Sequence, residues 1–208
     1  MGYCYNGQGN SLTLSAGSNG VWSVNESGRY VYADKNQLMY ADNVGGSQVA
    51  NVTLGNFNAV SVMDNGEAAY VVGDNGIVLY SSSSSQNFKL IPAVTSENLL
   101  SVDCNKVGNT VKAFIGGANG TLLSSINGQV SEYAVTGNPG RDITSVRLFN
   151  DGTMFLGTQS GSVAWMRTQD NENKGWNDVS FGVNAIDCSS GKVWLVGEHG
   201  QVIESEYK

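Results

Sequence analysis

Proline is nearly absent, two residues in 208, while glycine reaches 27 and stands among many Ser, Asn and Val. That balance suits short strands joined by tight turns better than helices, so an all-β chain is expected. No apolar run approaches the ~20 residues that cross a bilayer. The start, Met1-Gly2-Tyr3-Cys4-Tyr5-Asn6, has neither the basic and apolar stretches of a secretion signal nor the Ser or Thr that myristoylation wants at position 6. Membrane insertion is therefore not expected. Basic residues are few, eleven against eighteen acidic, and the net charge of −7 repels a phosphate backbone over most of the surface. Nucleic acid leaves the list of partners, and a soluble, acidic protein remains.

The chemistry-bearing residues are as sparse. Cys4, Cys104 and Cys188 make an odd count in a chain that needs no staples, so reduced thiols are expected. His199 is the sole histidine, and with no second His and no nearby Cys it makes a poor metal site. No Ser-His-Asp or Cys-His arrangement can be assembled around it. The expectation is no catalytic residue, no metal and no cofactor.

What the chain does have is a repeat, and a period found early decides the whole fold. Five segments share an aromatic, an aliphatic, a turn and an extended stretch: Tyr30-Val31 to Tyr40, Tyr70-Val71 to Tyr80, Phe114-Ile115 to Ser124, Phe155-Leu156 to Trp165, and Trp194-Leu195 to Glu204. A second column lies upstream, a small residue before a branched aliphatic: Ser23-Val24, Ser61-Val62, Ser101-Val102, Ser145-Val146 and Ala185-Ile186. Both columns keep a rhythm of about 40 residues, which with some four short strands per unit is the signature of propeller blades. The small residue suits strand A, crowded at the axis. The aromatic suits strand B, where it fills the widening wedge between sheets.

The fold expected is one all-β domain over 1–208, a five-bladed propeller of four-stranded antiparallel blades. Blade boundaries fall near 20–55, 58–92, 98–136, 142–181 and 183–208. Strand D of the fourth blade is expected roughly at 176–181. The last unit lacks a fourth strand, and the segment near 11–15 is expected to supply it, so that the two ends of the chain share a sheet and remove the open edges. A monomer is expected as the fold unit.

The segments Val72-Gly73-Asp74-Asn75-Gly76-Ile77-Val78-Leu79 and Val196-Gly197-Glu198-His199-Gly200-Gln201-Val202-Ile203 resemble the core of bacterial-neuraminidase-type repeats. The pattern is most similar to the propellers of photosystem II assembly and stability factors. That resemblance implies the fold, and a non-enzymatic role in assembly or binding.

Strand alternation places the residue two beyond each small one on the same face. These residues, Asn25, Met63, Asp103, Arg147 and Asp187, are expected to ring one mouth of the central channel, with Arg147 between two acids. Pairing of that kind is what a partly buried Arg requires, so the ring reads as structural before it reads as a ligand site. Asp103 and Asp187 lie two blades apart and Arg147 would hold both ionised, which argues against the opposed acid and base of a glycoside hydrolase. Candidate ligand-binding residues are Asp34, Asp74, Asn119, Glu198 and His199 in the B-to-C turns, together with Trp176 after the polar run 168–175 as a stacking platform. The B-to-C turns and D-to-A loops gather on one rim, where a propeller receives its partner.

The partner expected is a protein or a glycan. The first reading is a scaffold or a surface component, the second a lectin-like module. The repeated positions are core and the rim residues differ between units, whereas a lectin ring repeats its ligand residues. Low Lys and abundant Ser, Asn, Gly and Thr are compatible with a secreted or virion-surface protein, and location is left open.

Overall fold

The computed structural model describes the backbone of residues 2–5, 11–14, 21–24, 30–34, 37–42 and 45–51. It describes backbone and side chains from 56 to 206, apart from 64–66, 83–87, 136, 139, 168–171 and 190 and the side chains of 172–175 and 189.

Gly2–Tyr5 (β1) and Ser11–Leu14 (β2) form an antiparallel pair. Four four-stranded sheets follow. The first holds Val21–Val24 (β3), Tyr30–Asp34 (β4), Gln37–Asp42 (β5) and Gly45–Asn51 (β6). The second holds Phe57–Val62 (β7), Ala69–Gly73 (β8), Val78–Ser81 (β9) and Lys89–Ile91 (β10). The third holds Leu99–Val107 (β11), Thr110–Gly117 (β12), Leu122–Ile126 (β13) and Gln129–Glu132 (β14). The fourth holds Ile143–Leu148 (β15), Thr153–Thr158 (β16), Ser162–Arg167 (β17) and Glu172–Asp178 (β18). The last sheet has three strands, Val183–Ser189 (β19), Lys192–Gly197 (β20) and Val202–Glu206 (β21). In all five the strands pair with their chain neighbours, antiparallel and in order, so each sheet is a meander of local hairpins.

Consecutive sheets stack face to face. β3 and β4 lie beside β7, β7 and β8 beside β11, β11 and β12 beside β15, and β15 and β16 beside β19. The core is thus a series of inter-sheet layers. One holds Tyr70, Val72 and Val78 against Val102, Ile115 and Leu123; the next holds Phe114 and Leu122 against Val146, Leu148 and Leu156. A third holds Phe155 and Val163 against Ile186, Val193 and Leu195. Among the described strand-B aromatics Tyr70, Phe114 and Phe155 are buried and Trp194 is half-buried; Tyr70 also locks two sheets together. Its hydroxyl lies 3.0 Å from Ser125 Oγ and accepts the Gly128 N–H at 3.1 Å. Burial pushes that phenol up to about 12 despite both bonds.

Strand A begins with a register shift at the same place in four sheets, between Phe57 and Ala59, Leu99 and Ser101, Ile143 and Ser145, and Val183 and Ala185. The bulged residues are Asn58, Leu100, Thr144 and Asn184, and two of them reach the following sheet. Asn58 Nδ2 donates to the Leu99 carbonyl at 2.9 Å and Thr144 Oγ1 to the Val183 carbonyl at 2.6 Å.

Three expectations are corrected. Ser11–Leu14 does not complete the last sheet; it pairs with Gly2–Tyr5, from Gly2↔Leu14 to Tyr5↔Ser11. A short connection closes that hairpin at far less chain entropy than a pairing across the whole sequence. Strand D of the fourth unit runs over Glu172–Asp178, not 176–181, because its backbone groups find partners along β17 from Arg167↔Glu172 onward. In the second unit the small pair facing its strand B is Ala59-Val60, not Ser61-Val62. Pairing fixes this: Ser61 lies opposite Tyr70 as Asp103 lies opposite Phe114 and Arg147 opposite Phe155.

Candidate functional site

Cross-strand pairing changes the membership of the expected ring. Its described members are Val24, Ser61, Asp103, Arg147 and Asp187, each opposite the aromatic of its own strand B. Met63 is not among them; it is buried in the hydrophobic layer with Tyr70 and Cys104, since the chain has left β7 by that point. Asn25 lies outside the described residues. Arg147 reaches Asp103 Oδ2 with Nη1 and Asp187 Oδ1 with Nη2, both at 3.4 Å.

Asp103 is buried and saturated. Oδ1 accepts from Ser61 Oγ at 3.1 Å and from the Cys104 amide at 3.1 Å, while Oδ2 accepts the Leu148 amide at 2.8 Å. Burial pushes its carboxyl above the usual range, against the Arg147 charge and these bonds, which pull it down. A carboxylate held by four donors has no lone pair turned toward a substrate, and it ties three sheets together. The neighbouring thiols are equally committed. Cys104 is buried, Cys188 half-buried, and burial pushes the Cys188 thiol up to about 12 despite Arg147. A thiol so rarely ionised is a poor nucleophile.

The rim is built from one turn used repeatedly. Asp74–Gly76, Ala118–Gly120 and Glu198–Gly200 each form a single 3-10 turn whose middle residue is left-handed: Asn75 at φ 55°, Asn119 at 54° and His199 at 57°. Asn tolerates that conformation and Gly at the third place, at φ 71–74°, meets it without strain, which accounts for the Asn-Gly and His-Gly pairs. Asp34 ends β4 opposite Gln37, so the first unit turns more tightly than the others.

These turns are bolted to the strand and loop that adjoin them. Asp74 Oδ1 accepts Asn58 Nδ2 at 2.9 Å and Oδ2 accepts Asn56 Nδ2 at 2.9 Å. Partial burial works against the Asp74 carboxylate, but these amides outweigh it and hold it below its ordinary value of 3.8. Asn119 donates its backbone N–H to Asp142 Oδ1 at 3.0 Å and its side-chain amide to Glu97 Oε2 at 2.8 Å. The Gly76 amide donates to the Glu97 carbonyl of the following D-to-A loop at 2.8 Å. Glu198 and His199 are exposed. Trp176 is half-buried in the layer with Tyr133 and Val135, and its indole N–H is buried without a hydrogen-bond partner among the described residues. It is not placed as an open platform.

Sequence reasoning missed Asn56, Asn58, Glu97 and Asp142, the residues that brace the rim. Their signal is weak: Asn56, Glu97 and Asp142 are polar residues one or two places ahead of a strand A, and Asn58 is the second residue of β7. Among the described residues no group of three or more His, Cys, Asp or Glu could hold a metal ion.

No family model and no curated protein matches the sequence. Solved structures do match. A chain of the Mitotic Checkpoint Complex is 13% identical at a TM-score of 0.72, with 85% of this chain and 57% of that chain covered. The computationally designed protein Ika8 is 13% identical at 0.69, with 89% and 57% covered. Sqt1 of Saccharomyces cerevisiae is 10% identical at 0.70, with 89% and 58% covered. This chain therefore spans less than three fifths of the solved chains it matches. At such identities the likeness shows the fold alone, and that fold is β-propeller-like.

Proposed function

We propose that the chain is a non-enzymatic propeller of five blade-like units, one domain over 1–208, that binds another protein through the rim of its B-to-C turns and D-to-A loops. One observation carries this reading: the turns repeat their backbone while their exposed side chains differ. Asn75, Asn119 and His199 share one conformation, yet the residues around them are Asp-Asn-Gly, Ala-Asn-Gly and Glu-His-Gly. Identical geometry with unlike tips suits a single asymmetric partner, not several copies of one small ligand. The bracing bonds support it, because a surface fixed before contact loses little freedom on binding. One of the similar solved chains comes from a multi-protein complex.

The rim's charge narrows the partner. Asp74, Glu97, Asp142 and Glu198 lie there with Arg141 and His199, an acidic balance that favours a basic protein surface and speeds encounter at low salt. The test is affinity capture with cross-linking on three chains: unchanged, carrying Glu97→Lys with Glu198→Lys on this rim, or carrying Lys106→Glu at the opposite end of the strands. A basic protein is expected on the first and third and not on the second, with retention falling as salt rises. Capture unaffected by the rim substitutions, or binding confined to glycans on an array, would refute the reading.

A further inference from the structure

The second, third and fourth sheets each present the same face to the sheet that follows. In the second sheet that face carries Tyr70, Val72 and Val78, and the third sheet leaves Val72 0% and Val78 2% exposed. Phe114 and Leu122 hold the same places beneath the fourth sheet, and Phe155 and Val163 beneath the last. In the last sheet the face continues with Trp194, Val196 and Val202, register partners of the same kind, yet Val196 is 40% and Val202 61% exposed.

The polar fittings of a junction recur there as well. A Cβ on Gly76 would meet the Thr95 carbonyl oxygen at 2.0 Å, on Gly120 the Asn138 amide at 2.7 Å, and on Gly161 the Val179 carbonyl at 2.7 Å; on Gly200 it would meet nothing within 4 Å. Asn184 occupies the bulge from which Asn58 and Thr144 reach the next sheet, and it is exposed. Asp187 bonds the amide of its own Cys188 at 2.9 Å, as Asp103 bonds that of Cys104. Where Asp103 is closed over by Leu148, the side chain of Asp187 stays 77% exposed. Glu204 is already held by Lys192 and Trp194, so a cover would bury no lone charge.

We propose that this face is the seat of a further blade, and that the first repeat unit of the same chain, the β3–β6 sheet, occupies it and closes the array into a ring. The occupant must offer the opposite face of a blade, the one built from Val71 and Leu79, Ile115 and Leu123, Leu156 and Ala164, or Leu195 and Ile203. In the last three of those units that face is already packed against the preceding sheet, and in the second Val71 and Leu79 are buried. Among the described residues no sheet of this kind precedes the first unit, and by cross-strand pairing Val31 and Tyr40 hold the matching places there. The new contact continues an interface the chain makes between every pair of consecutive units. A tethered sheet also acts at an effective concentration in the ~mM range, which favours it over a second copy. Closure by packing of faces needs no strand from Ser11–Leu14, and it rests on the five-unit reading above.

The test places a reporter thiol at the seat, Val202→Cys, with Val78→Cys as the same position in a junction the structure shows closed. Labelling at each site is followed by peptide mass in native protein over a wide range of concentration. Both cysteines are expected to be protected at least ~100-fold relative to the unfolded chain, at every concentration and with monomer mass. Rapid labelling at 202 alone overturns the proposal. Protection at 202 that grows with concentration also overturns it, by making a second copy the occupant. Rapid labelling at both sites would instead bring down the stacked-sheet reading itself.

Discussion

Single residues in this protein act as joints between sheets more than as reagents. Asp103 is the clearest case. Replacing it with Asn turns an amide toward the Leu148 N–H and Arg147, where two donors then face a third. A cost of about 2–4 kcal/mol is expected, measured as the loss of unfolding free energy in urea, and Asp103→Ala should be no milder. Asp74 carries a pH signature. Its folded carboxyl sits below the ordinary 3.8, so the stability it adds is fully present above that value and is lost as pH falls through the lower folded value. Asp74→Ala should therefore cost about 1 kcal/mol near neutrality, discounted for exposure, and the gap to the unchanged protein should close in acid. A gap independent of pH would mean the amides of Asn56 and Asn58 do not hold a carboxylate. Asp103, Arg147 and Asp187 share one offset in the sequence and meet in space. The partners of Asp74 could not be read, because they depend on how the segment before β7 folds back over the turn.

The repeated elements explain what was legible and what was not. Strand B is marked by an aromatic and strand C by the Gly turn ahead of it, so the order A-B-C-D could be read from spacing alone. The hairpin between A and B varies in length, and spacing then misplaces strand A. In the second unit it selects Ser61-Val62, where cross-strand pairing selects Ala59-Val60. Pairing is decided by which side chains fill a layer, a tertiary matter that a period does not encode. The turns allow a sharp comparison. Gly76 and Gly200 have φ 71° and 73°, so Ala at either is strained by about 1 kcal/mol or more. At Gly76 the added methyl also strikes the Thr95 backbone. With the first unit seated on the last sheet Gly200 is covered as Gly76 is, so the two Ala variants should cost alike, at least about 2 kcal/mol each, in thermal or urea unfolding. A Gly200→Ala cost smaller by about 2 kcal/mol or more would show that no unit presses on the last turn.

At the scale of the molecule, stability is shared between neighbours, since each sheet buries its faces only against the next. Local meanders stacked in order can be built from many sequences, in keeping with similar folds at 10–13% identity. By sequence pattern Ser11–Leu14 is assigned to the last sheet, whereas it pairs with Gly2–Tyr5, a choice of partner that the period does not encode. Small-angle X-ray scattering with absolute intensity, in dilute solution, addresses the whole arrangement at once. Five stacked units closed on themselves should give a monomer mass and a radius of gyration of about 17 Å, unchanged with concentration. A clearly larger radius at monomer mass, or a mass that climbs with concentration, would contradict a closed propeller built from one chain.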